Sequence, residues 1–179
     1  MHTFVALLRG INVGGKNTIA MTELESSFSS LGLEDVVTYI QSGNVVFRSP
    51  TGNAQELAAG IEQRIADAIG VSLTVLLRTP AELGAIAENN PFLSGAADLP
   101  KLHVVFLAGL PAANAVAQLD PERSPPDEFS LRGREIYLHL PNGAGRSKLT
   151  IDYFERRLGV RATARNWNTL SKLLALTQH

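Results

Sequence analysis

Residues Arg9 to Asn17, RGINVGGKN, bring three glycines, two cations and two asparagines into one short run directly after the apolar stretch FVALL. That mixture suits an anion. Gly10, Gly14 and Gly15 can take φ > 0 or let backbone approach a ligand, and the amides of such a turn form a concave nest for negative charge. Arg9 and Lys16 supply the cations that hold phosphate or carboxylate. Gly10, Gly15 and Lys16 even satisfy the first part of a phosphate-loop pattern. The metal end of that pattern fails, because Asn17 stands where a Ser or Thr would ligate Mg²⁺ and Thr18 comes one position late. The apolar runs LTVLLR and LHVVFL end at Arg78 and Ala108 rather than at an aspartate. The expectation is an anion or polar-ligand loop that does not hydrolyse nucleotides. Turn chemistry offers the plainer alternative, a strand-to-helix connection in which Asn12 and Asn17 satisfy local amides.

Further polar residues recur at spacings that place them on strands or near helix starts. Tyr39 and Gln41 share one side of a predicted strand, with Asn44 beginning the next. Tyr137 and His139 repeat that spacing downstream. Arg146 and Lys148 fall at a predicted helix start near Ser147, where free amides favour anions. Arg165 and Asn166 gather beside the last predicted helix. The alternation predicts one polar, basic and partly aromatic face per sheet, solvated or lying between the two halves. The aromatic-rich signature of an RNA-recognition module is missing, since SGNVVFRS offers Phe47 alone. His2, His103, His139 and His179 show no metal-ligand spacing, no nucleophile elbow occurs, and no metal or cofactor is expected.

Composition bounds these readings. The chain of 179 residues is 45% hydrophobic, enough for one ordinary domain or two small ones with a real core. A formal net charge of -1 argues against a surface that is basic throughout, so polyanion binding would be local. Zero cysteines exclude disulfides and thiolate chemistry. No leader-like or membrane-spanning run is expected, and the reading is a soluble, cytoplasmic protein.

The elements that must position these residues follow from period and punctuation. Residues 3–9 predict a strand, Thr22 with Glu25 a capping box for a helix bearing Leu24, Phe28 and Leu31, and 36–41 with 45–48 a hairpin. Asn53 with Glu56 starts a helix bearing Leu57, Ile61, Ile65 and Ile69, before a strand at 73–78. The same order recurs as strand 102–107, helix after Pro111, strands 129–132 and 135–140, helix from about 147 to 158, and strand 160–165. The expected class is α+β: two tandem ferredoxin-like βαββαβ subdomains at 1–79 and 101–165, joined by a helix and loop at 80–100 and followed by a helix at 166–179. Trp167, Leu170 and Leu174 form the expected stripe of that last helix.

The segments LLRGINVGGKN, TYIQSGNVVF, KLHVVFL, GRSKLT and ARNWNTLSKL, in this order, resemble a bacterial family known as domain-of-unknown-function family 1697. The resemblance runs from the first strand to the last helix. It implies two ferredoxin-like halves and brings no activity, cofactor or catalytic residue; AANAVAQLDPERSPPDE lies where such proteins look variable. The leading expectation is a binding protein whose two sheets and glycine loop form a polar cleft for a nucleotide, phosphorylated metabolite or nucleic-acid segment. Its candidate residues are Arg9, Asn12, Gly14, Gly15, Lys16, Asn17, Tyr39, Gln41, Asn44, Arg146, Lys148, Arg165 and Asn166. Two alternatives remain: an enzyme on a small phosphorylated or nucleotide substrate working through Tyr39, His139 or the substrate itself, and a structural or partner-binding module. Oligomeric state stays open.

Overall fold

Alternation in the first strand, β1 (His2–Leu8), sends Phe4, Ala6 and Leu8 to one face and Val5 and Leu7 to the other. The computed structural model describes residues 1–12, 14–15, 17–41, 43–94 and 97–179, and builds around such strands a mixed α+β fold with two four-stranded antiparallel sheets and six α-helices among the described residues. The chain divides into two units, Met1–Gly84 with Leu173–His179, and Ala85–Lys172.

In unit 1 the order is β1, α1 (Met21–Ser29), β2 (Glu34–Tyr39), β3 (Asn44–Ser49), α2 (Ala54–Ile69) and β4 (Val75–Arg78), with sheet order β2-β3-β1-β4. Phe4, Ala6, Leu8, Val45, Phe47, Val75 and Leu77 form a floor on which Leu24 and Phe28 of α1 and Ile61 and Ile65 of α2 pack. Phe47 stacks on Phe4 at 5.9 Å and meets Phe28 edge-on at 5.2 Å. Asn53 caps α2 by accepting from the Glu56 amide at 3.2 Å, and Gly70 closes it at φ 77°. The expected Thr22–Glu25 box does not form. α1 starts at Met21 behind Ala20, so Thr22 already lies inside the helix, and Glu25 accepts instead from the Thr38 hydroxyl at 2.8 Å. Leu31 falls past the helix end and is exposed. β2 bulges between Glu34 and Val37, with Asp35 at φ 49° and paired to Arg48 at 3.0 Å.

α3 (Pro80–Glu88) opens with a reciprocal capping box, Thr79 and Glu82 exchanging hydrogen bonds of 2.7 and 3.2 Å, and with proline at its first position. Unit 2 continues with β5 (Leu102–Leu107), α4 (Ala113–Val116), β6 (Glu128–Arg132), β7 (Glu135–His139), α5 (Ile151–Leu158) and β8 (Ala162–Asn166), in sheet order β6-β7-β5-β8. Its core joins Val105, Leu107, Ile136 and Leu138 to Tyr153, Phe154 and Leu158 of α5. β6 and β7 turn through Gly133 and Arg134, with φ 60° at Gly133. The expected helix start at Ser147 is displaced: residues 144–146 form a 3-10 turn and Ser147 is extended, while Thr150 caps α5 by accepting from the Tyr153 amide at 3.2 Å. Asn166 caps α6 (Trp167–Leu176), accepting from the Thr169 amide at 2.8 Å. Leu173 is buried beside Trp167 and Leu170 in the helical sequence pattern, and Leu174, expected on that stripe, is half-buried.

The second face of each sheet is apolar and buried at its centre, which goes against the solvated form of the polar face that alternation predicts. Val5, Leu7, Val46 and Leu76 are buried in unit 1, as are Leu102, Val104 and Phe106 in unit 2. The apolar residues at the centre of that face outweigh the polar ones at its margins. Within unit 2 part of the cover is the end of α3 and the turn after it. Tyr137 Oη donates to the Ile86 carbonyl at 2.8 Å, Arg132 donates to the Asn89 carbonyl at 2.9 Å, and the Phe92 ring lies 6.0 Å from His139. A surface for stacking RNA bases on these strands is therefore absent.

Candidate functional site

One end of the unit 1 sheet gathers most of the unit 1 candidates. Two antiparallel bonds define that end: the Leu8 amide donates to Gly43 at 2.8 Å and the Arg9 amide to Thr74 at 2.9 Å. Beyond them the chain leaves β1 through a connection of residues 9–20. Gly10, Asn12, Gly14, Gly15 and Asn17 all hold positive φ, between 49° and 74°. Asparagine tolerates this conformation better than most residues because its short amide bonds locally. The amides of successive residues in such geometry turn to one side. Gly14 and Gly15 are exposed, and among the described residues nothing lies within 4 Å of where a Cβ would stand on either.

Asn12 organises the connection. Its Nδ2 donates to the carbonyls of Ile19 at 3.1 Å and of Gln41 at 2.8 Å, and its Oδ1 accepts from the Ile19 amide at 2.9 Å. Both amide protons are thus engaged. Asn17 Nδ2 closes the base of the loop on the Gly10 carbonyl at 3.1 Å, and the Asn12 amide reaches the Asn17 carbonyl at 3.2 Å. Ile11, between two positive-φ residues, is buried in the core and anchors the loop from below. The bond to Gln41 ties the loop to the β2–β3 turn, residues 40–43, where Ile40 has φ 48° and Gly43 φ 81°. Lys16 and Ser42 lie outside the described residues.

The remaining sequence candidates are placed as follows. Gln41 is exposed and Arg9 half-buried at the loop root. Tyr39 is half-buried, on the same sheet face as Asn44 and Leu7, whereas the glycine loop leads to the helices on the opposite face. Asn44 is fully buried and donates to the Tyr39 carbonyl at 3.0 Å, closing the hairpin from inside. In unit 2, Arg146 and Lys148 are exposed on the segment before α5, and Asn166 is exposed while serving as a cap. Arg165 is buried, donating to Thr163 Oγ1 and to the Ala164 carbonyl, both at 2.8 Å; burial pulls its pKa down to about 10.

Two residues of note gave weaker signals. Arg78 is the largest side chain to be fully buried, and its guanidinium donates to the Leu77 carbonyl at 3.0 Å. Its position at the end of VLLR, in phase with the buried Leu76, is the only hint in the sequence. Tyr137 is buried, and its phenol is pushed up to about 12, first by burial and then by Glu135, against a smaller opposing effect of Arg132. Among the described residues no three His, Asp or Glu side chains converge to hold a metal ion, and no helix is long and apolar enough to cross a membrane.

A family model described as "Protein of unknown function (DUF1697)" matches residues 1–137. The chain is similar in structure to conserved bacterial protein SP0830 from Streptococcus pneumoniae, at 26% sequence identity and a TM-score of 0.75, covering 100% of this chain and 99% of that one. No curated protein matches the chain.

Proposed function

Because this chain belongs to the DUF1697 family of proteins of unknown function, its reading starts from geometry, and we propose that it is a binding protein for an anionic ligand held at the loop end of unit 1. The ligand class is a nucleotide, a phosphorylated metabolite or a nucleic-acid segment.

The reading rests first on treating the units as tandem ferredoxin-like repeats. The strand orders correspond, and so do the registers: Val5 pairs with Val46 and Arg78, as Val104 pairs with Tyr137 and Arg165. The sheet-end bonds match as well, Leu8 to Gly43 and Arg9 to Thr74 against Leu107 to Arg134 and Ala108 to Arg161. Arg78 and Arg165 thus occupy one position of the repeat, and each bonds the carbonyl of the residue before it.

That correspondence supplies the observation carrying the proposal. Unit 2 leaves β5 for α4 in five residues, 108–112, and turns from β6 to β7 in two. Unit 1 uses twelve for the first connection, 9–20, and four for the second, 40–43, and Asn12 bonds the two together. The frame closes without those additional residues. Loops lengthened beyond need on a rigid sheet are where binding residues concentrate. Exposed Gly14 and Gly15 amides, with the cation that the sequence places at Lys16, suit a phosphate or carboxylate oxygen.

The test is a thermal-shift screen of nucleotides, sugar phosphates and short oligonucleotides, followed by calorimetry on the wild type, Lys16→Ala and Arg146→Ala. A charge-assisted bond is worth about 1.5–3 kcal/mol, so Lys16→Ala should weaken a genuine ligand roughly 10- to 100-fold. Arg146→Ala tests the unit 2 candidate separately from the loop. An unaltered response in Lys16→Ala would remove the loop from the site.

A further inference from the structure

The two units elaborate opposite ends of the same strand frame. In unit 1 the links from α1 to β2 and from β3 to α2 take four residues each, whereas the matching links of unit 2, 117–127 and 140–150, take eleven each. Over the same stretch α4 and α5 have four and eight residues against nine and sixteen in α1 and α2. Unit 2 has exchanged helix for loop.

The exchanged loops are tied together. Arg123 Nε donates to the Lys148 carbonyl at 2.9 Å, and the Lys148 amide donates to Ser124 Oγ at 3.0 Å. Ser124 Oγ donates to Asp127 Oδ2 at 2.7 Å, and the Asp120 amide donates to Tyr153 Oη at 2.9 Å. The Arg123 guanidinium sits 4.0 Å above the Tyr153 ring. Beside this frame lies a groove of about 340 Å³, walled by Pro121, Pro125, Pro126 and Phe129. Every charged residue lining it is acidic: Glu122, Asp127 and Glu128. Asp127 is buried and held by Ser124, so Glu122 and Glu128 carry the exposed charge. Arg123, the nearest cation in sequence, is committed to Tyr153 and Lys148.

The volume sits at the lower end of ligand pockets, too small for a large cofactor. Apolar walls with carboxylates at the rim match an aliphatic stem ending in a cation, the stem lying on the prolines and the head meeting the glutamates. The groove also adjoins the first residues of β6, which is an edge strand pairing with β7 on one side. An extended chain can continue along such an edge. We propose that this groove docks a lysine- or arginine-bearing segment of a protein partner.

The test uses the full chain and a fluorescent nine-arginine peptide, with a nine-glutamate peptide as its opposite. Anisotropy should report binding of the basic peptide only, weakened at least tenfold in the double variant Glu122→Gln/Glu128→Gln and unchanged in Glu23→Gln/Glu34→Gln, which removes two exposed carboxylates from unit 1. Amide NMR shifts should cluster in residues 117–132. Absence of binding, equal losses in the two double variants, or displacement of the peptide by an equal concentration of spermidine would each overturn the proposal; the last two would assign the effect to diffuse charge or to a small polycation.

Discussion

Replacing Gly43 by alanine separates two costs that usually come mixed. Gly43 sits at φ 81°, and a Cβ there would stand 2.8 Å from Leu8 Cβ and 2.9 Å from Ile11 Cγ1 and Cδ1. The left-handed conformation alone costs a non-glycine residue about 1–2 kcal/mol. Overpacking adds about 1–3 kcal/mol, and Leu8 Cβ, fixed to a central strand, cannot yield without moving β1. The stiffer unfolded chain gives back about 0.4–1 kcal/mol. At the middle of these ranges the net loss should be about 3 kcal/mol, a fall in Tm of very roughly 6–12 °C for a chain of this size. Gly10 is the control, since it holds φ 74° with nothing within 4 Å of where an alanine methyl would stand, so Gly10→Ala carries the conformational part alone, about 1 kcal/mol net. Urea unfolding should be followed by far-UV circular dichroism and by fluorescence of Trp167, the single tryptophan, which lies in unit 2. Gly43→Ala should lower the circular dichroism midpoint more than Gly10→Ala does. Equal losses in the two variants would refute the contact argument and mean that the 40–43 turn relaxes away from Leu8 and Ile11.

Other outcomes follow from the same reasoning. Asn12→Ala removes three side-chain hydrogen bonds and should cost about 1–3 kcal/mol, with faster hydrogen exchange at the Ile19 amide, which bonds Asn12 Oδ1 at 2.9 Å. Tyr137→Phe leaves the Ile86 carbonyl without its donor and should cost about 1–2 kcal/mol by denaturant titration. Tyr137 itself is held at about 12 against an unfolded value near 10, so its contribution is complete below pH 10 and is lost as pH rises through 12. The wild type should lose stability across that window more steeply than Tyr137→Phe. Burial lowers the His103 pKa against an opposing backbone effect of Lys101, so stability present above the unfolded value near 6.5 should fall as pH drops below it. His103→Gln should flatten that slope between pH 7 and pH 5.

The periodic elements were legible because local rules and tertiary packing agree on them. Asn53, Thr79 and Asn166 each precede a helix and each caps it. Phe47 packs into the core from the middle of a β-rich run, and Gly133 turns the β6–β7 hairpin as its type requires. The Thr22 box failed because a cap depends on which residue begins the helix, and a sequence pattern tolerates a shift of one residue that the hydrogen bond does not. Ser147 failed similarly: Thr150, three residues on, competes for the same role and wins. The site was legible as a glycine loop but not as an assembly. No periodicity announces that Asn12 reaches across to Gln41, because that bond spans 29 residues and depends on the register of three strands. Nor does alternation show how a second face is covered, which is why Asn44 and Arg165 read as candidate ligand contacts and are buried.

The bulge in β2 shapes what this edge of the sheet offers to another molecule. β2 is an outer strand of its sheet and carries Val37, with Ile40 just past its end; the two are 45% and 50% exposed. A flat outer strand with such residues would be a template for stacking one molecule on another. The register shift between Glu34 and Val37, with Asp35 turned to φ 49° and held by Arg48, interrupts the row of amides and carbonyls and sets a carboxylate beside it. Straightening that segment, for example by deleting Asp35, would restore the row and remove the charge together, turning a tolerated pair of exposed apolar residues into a nucleus for fibrous self-association.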